Sequence, residues 1–99
     1  MISADICETK VQMFYDRANG IKERVDQLMA MPDTDLRREY VMDCWQRNRT
    51  VRDEIISFQR LMNEVSDSIT SQSARWMLHT TSRLQDALTE SRMKLLSYL

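Results

Sequence analysis

One glycine and one proline in 99 residues leave this chain almost no turn chemistry. An all-β fold needs many tight turns, so that class is excluded. Glycine loops that cradle phosphates go with it. The only histidine is His79, which rules out any His-x₃-His metal pattern and pairs with no nucleophile at a readable spacing. Cys7 and Cys44 form neither a Cys-x-x-Cys motif nor a disulfide framework. Charge of one sign is missing too: 14 basic residues meet 15 acidic ones, for a net charge of −1. No global field therefore draws the chain toward nucleic acid or anionic lipid. Apolar runs are too short to cross a bilayer, and Asp5 and Glu8 do not fit a secretory signal.

These absences point away from an enzyme. No catalytic, cofactor or metal site is expected, since acidic pairs such as Asp53-Glu54 read as solvated faces and no Glu-x-x-His arrangement exists. What is present is 42% hydrophobic and 29% charged residues, the balance of a folded soluble chain with one modest core.

The apolar residues are ordered in three stripes. Ala4, Cys7, Val11, Phe14, Ala18, Ile21, Val25 and Leu28 follow alternating three- and four-residue steps. So do Val41, Cys44, Asn48, Val51, Ile55, Phe58, Met62, Val65 and Ile69. A third series runs Ala74, Met77, Thr81, Leu84, Leu88, Ser91, Leu95 and Tyr98. A 3.5-residue period is the seam of a helix that packs along another helix. Asn48 is the polar member of the second seam, a device that sets register and partner number at some cost in stability. Asn48-Arg49-Thr50 also matches a glycosylation sequon, but a seam position is not a surface loop.

Breaks between the seams give helices at about 4–30, 34–69 and 73–98. Ser3 caps the first, with Ile2 placed to staple against Cys7, and Pro32 stops it. Asp33, Thr34 and Asp35 offer caps for the second. The polar run Thr70-Ser71-Gln72-Ser73 reads as a turn before the third. Apolar residues flanking the seams, such as Tyr15, Tyr40, Trp45, Leu61 and Leu78, suit helices that each face two neighbours. The expected fold is an all-α antiparallel three-helix bundle with coiled-coil-like packing, a single domain over 1–99. The alternative is an extended hairpin that oligomerises, with residues 34–98 fused into one rod. In the bundle Cys7 and Cys44 are buried reduced thiols, and a bridge between them remains open for an exported chain.

Eight further hydrophobes lie off the seams: Ile6, Met13, Leu36, Met42, Ile56, Trp76, Met93 and Leu96. That is more than a small bundle needs to expose, so a protein partner or a second copy is expected to cover some of them. Arginine supplies 11 of the 14 basic residues, clustered in Trp45-Gln-Arg47-Asn-Arg49-Thr-Val-Arg52. Acids on the same helix, among them Asp43 spaced for Arg47 and Glu64 for Arg60, weigh against nucleic acid. The candidate partner-binding residues are Trp76, Trp45, Met42, Ile56, Arg49 and Arg52, with Asn48 setting register. In helix number and length the chain resembles spectrin-type repeats and the three-helix N-terminal domains of SNARE-type trafficking proteins. It has no tryptophan in its first helix, as spectrin repeats do, and these 99 residues hold no apolar run of the kind that anchors SNARE proteins in a membrane. The expected function is a cytoplasmic scaffold or adaptor subunit, a coiled-coil module binding a helical protein. A chaperone- or trafficking-type adaptor for a client helix is the alternative, and a nucleic-acid-binding bundle a weaker one.

Overall fold

A computed structural model describes residues 4–64 and 71–98 and gives three helices: α1 (Ala4–Met29), α2 (Asp35–Glu64) and α3 (Ser71–Leu96). Among the described residues every buried side chain is a seam residue, seven from each helix, and Tyr98 at the end of the third seam is half-buried. They run from Cys7 to Leu28, from Val41 to Met62 and from Ala74 to Leu95. The Ala4 side chain, Val65 and Ile69 fall outside the described residues, as do the Ser3 cap and the Ile2 staple. Phe14 and Phe58 meet edge to face at the centre, 5.6 Å between ring centroids. Met31, Trp45, Leu78 and Tyr98 close over this core from its margins.

Each helix packs on both others in a rod 51 × 18 × 17 Å. Chain direction follows from the cross-links. Arg17 pairs with Glu54 and Arg24 with Asp43, an inverted order, so α1 and α2 are antiparallel. Glu8 meets Ser73 and Asp26 meets Lys94 in the same order, so α1 and α3 are parallel. The fused rod over 34–98 is thereby excluded.

Local chemistry sets the boundaries. The Ala30 and Met31 amides donate to Gln27 and Leu28, tightening the last turn of α1 before Pro32. Thr34 caps α2 by accepting the Arg37 amide on its Oγ1 at 3.3 Å. At the far end α3 starts two residues before the expected position 73, so Ser71 and Gln72 of the expected turn are already helical. Serine in a first turn costs a helix little, and Ser73 gains a bond to Glu8 across the bundle. Thr70 and the end of the second helix beyond Glu64 lie outside the described residues.

The ion pairs within α2 and at its start share one order. Asp33–Arg37, Asp35–Arg38 and Asp43–Arg47 all place the acid toward the N-terminus, the orientation the helix dipole favours. The expected Arg60–Glu64 pair has the reverse order and is not among the ion pairs of the described residues.

Candidate interaction surface

Three flanks separate the three seams, and each can be read from the residue next to a buried one. Asp43 and Glu54, one position before Cys44 and Ile55, reach toward α1. Trp45, Arg52 and Gln59, one position after Cys44, Val51 and Phe58, turn toward α3 and are half-buried. On α3 the matching wall is Leu78, Ser82, Gln85, Thr89 and Arg92. Its position is fixed by Gln59 donating to Thr81 Oγ1 at 3.0 Å and by Arg92 lying over the Trp45 ring at 5.0 Å.

Met42, Trp45, Arg49, Arg52 and Ile56 therefore form one stripe along α2, because they repeat the seam steps one residue later. The structure brings five of the six sequence-derived candidates together. Trp76 is apart from them: it precedes Met77 on the side of α3 that turns toward α1, with Ser73, and is 49% exposed. It belongs to a different surface.

Asn48 lies under this stripe, buried in the core. Its Nδ2 donates to the Leu88 carbonyl of α3 at 2.8 Å, and its Oδ1 accepts from Arg52 Nε at 2.9 Å. That pins the register of α2 on α3 and holds the Arg52 side chain in the flank. Burial, and after it the charge of Arg92, pulls the Arg52 guanidinium below its ordinary value. Arginine still stays charged at any physiological pH, so two like charges are held side by side.

Charge separates this flank from the other two. Between α1 and α2, Arg17 and Arg24 each have a carboxylate partner; between α1 and α3, Lys94 has Asp26 at 3.8 Å. Between α2 and α3, Arg49, Arg52 and Arg92 have no carboxylate partner among the described residues, and no acid occupies either wall. Arg92 Nε is buried with no acceptor. A buried N–H left unmet costs about 1–3 kcal/mol, so stacking on Trp45 offsets only part of its desolvation. Arg92 is not legible in the sequence as part of this site because it lies on α3, away from the arginine-rich stretch of α2. Its place one residue after Ser91, as Arg52 follows Val51, is the signal that could have found it.

The second surface of note is apolar. Ile6, Met13, Phe58 and Leu61 line a shallow groove between α1 and α2, over the Cys7 end of the core. All eight off-seam hydrophobes are exposed, as expected. His79 is exposed as well. Cys7 borders the Phe58 groove while Cys44 sits beside Leu28 near the other end, so no bridge joins them and both thiols are free. Among the described residues no cluster of His, Cys, Asp or Glu could hold a metal ion, and no helix is long and apolar enough to cross a membrane.

Comparison with known proteins adds no assignment: no family model, curated protein or solved structure matches this chain.

Proposed function

We propose that this chain is a non-enzymatic protein-interaction module, a helical-bundle scaffold or adaptor subunit of a larger assembly. One observation carries the reading: the flank between α2 and α3 holds three arginines that, among the described residues, form no ion pair with a carboxylate, bracketed by exposed Met42 and Ile56. Arginine, tryptophan and methionine on a preformed surface are the residue types that dominate protein contacts. Two free, buried thiols fit a reducing compartment such as the cytoplasm.

Capture of a client helix, the adaptor alternative, draws support from the Ile6–Met13–Leu61 groove, where flexible side chains can repack around different sequences. Affinity capture with mass spectrometry, joined to light scattering, tests the module reading. A recurrent partner or a defined oligomer is expected. A monomer that recovers nothing from cells would refute it.

A further inference from the structure

We propose that the α2·α3 flank docks an acidic amphipathic helix of a protein partner, which packs along it as a fourth helix; this rests on the interaction reading above. Charge complementarity names the occupant. Arg49 and Arg52 on one wall and Arg92 on the other face the same furrow, and every other cross-helix flank has its own carboxylates. Two or three carboxylates from outside would complete the pattern the other flanks already show. Arg92, its guanidinium carbon 5.0 Å from the Trp45 ring centre, adds a third positive charge to the furrow, and guanidinium groups bind carboxylates strongly.

Shape argues for a helix. No strand lies among the described residues, so no sheet edge is there to receive an extended peptide. A furrow between two helices with a 3.5-residue period takes a third helix by the same packing, as four-helix bundles do. Exposed Met42 marks one end and Ile56 the other. Fourteen residues of α2 separate Met42 from Ile56, about 21 Å at the helical rise. The matching helix spans about four turns, apolar at both ends with acids between.

A long polyanion fits less well. Asp53 follows Arg52, Asp86 follows Gln85 and Glu90 follows Thr89, all exposed beside the furrow, so a phosphate chain leaving it meets carboxylates at once.

Fluorescence anisotropy with three labelled probes decides. The first is an amphipathic peptide of about 18 residues with Leu and Glu on one face, the second replaces Glu by Lys, and the third is an oligothymidine of about 20 nucleotides. Each is titrated into wild type, Arg49→Glu and Met13→Glu, with circular dichroism confirming the fold; both substituted side chains are exposed. The acidic peptide is expected to bind wild type and Met13→Glu alike and to lose about tenfold or more in Arg49→Glu. Affinity falls as salt rises, and the Lys peptide gains on Arg49→Glu. No acidic-peptide binding, equal binding to wild type and Arg49→Glu, or tighter binding of the oligonucleotide overturns the proposal. Loss confined to Met13→Glu also overturns it by moving the contact to the α1·α2 groove. In that case the interaction-module reading stands, since it falls only when no partner or oligomer exists at all.

Discussion

Asn48 of α2 donates its side-chain amide to the backbone carbonyl of Leu88 in α3, 2.8 Å away in the centre of the bundle. The same side chain accepts from Arg52, so one polar seam residue both fixes helix register and aims a surface arginine. Asn48→Ala loses both bonds and is expected to cost about 1–2 kcal/mol in urea unfolding. Asn48→Leu restores an apolar seam and should stay within about 1 kcal/mol of wild type, since half-buried Arg52 can turn to water. Wild-type stability in Asn48→Ala would show that neither bond matters.

Gly20 offers a gain of stability. It lies inside α1 with an exposed backbone position, and a Cβ there would meet nothing within 4 Å. Its φ is not positive, so alanine adopts the same conformation. Gly20→Ala should stabilise by about 0.5–1 kcal/mol through helix propensity and a less disordered unfolded chain. For a domain of this size that is a rise of roughly 2–8 °C in Tm, read by calorimetry. A fall in Tm would mean that α1 is not straight and helical at this point.

The seams were legible because a 3.5-residue repeat is written directly in residue type, and burial follows it residue by residue from Cys7 to Leu95. Asn48, Thr81 and Ser91 were placed in the core by phase alone, against their polarity. What phase cannot say is which side of α2 receives α3, because a three-helix bundle can turn either way with the same seams. The pairing of Trp45 with Arg92 depends on that choice, and so does the separation of Trp76 from the arginine stripe. The start of α3, two residues before the expected one, escapes the pattern for a smaller reason. Ser71 and Ser73 are turn formers and also good first-turn residues, and no glycine or proline decides between them.

The thiols carry a pH signature. Burial, reinforced by Asp43 and opposed by Arg24 and Arg47, raises the Cys44 pKa above 9.0, and burial with Glu8 raises that of Cys7. Well below 9.0 both folded and unfolded thiols keep their protons and nothing is lost. Above it the unfolded chain gives up its protons first, so the folded state binds more protons and stability falls with rising pH. Urea midpoints between about pH 8 and 10 should therefore decline more steeply for wild type than for Cys44→Ala. Parallel declines would show that the thiol titrates as freely in the fold as out of it.

The two tryptophans give the most direct reading of where a partner lands, because they occupy different flanks. Trp45 packs at the margin of the core under Arg92, while Trp76 stands half exposed on the side of α3 that turns toward α1. Two single-tryptophan variants, Trp45→Phe and Trp76→Phe, leave one reporter each. A helix seated between α2 and α3 must displace water from Trp45 and its arginine, so the emission of the Trp76→Phe protein should shift to the blue on binding. The Trp45→Phe protein, reporting from Trp76, should not change. Trp76→Ala should likewise leave affinity intact while costing about 1–2 kcal/mol of stability, the share expected of a large ring only half buried. A response confined to Trp76 would place the contact surface on the α1 side of α3 and leave the arginine furrow without a ligand.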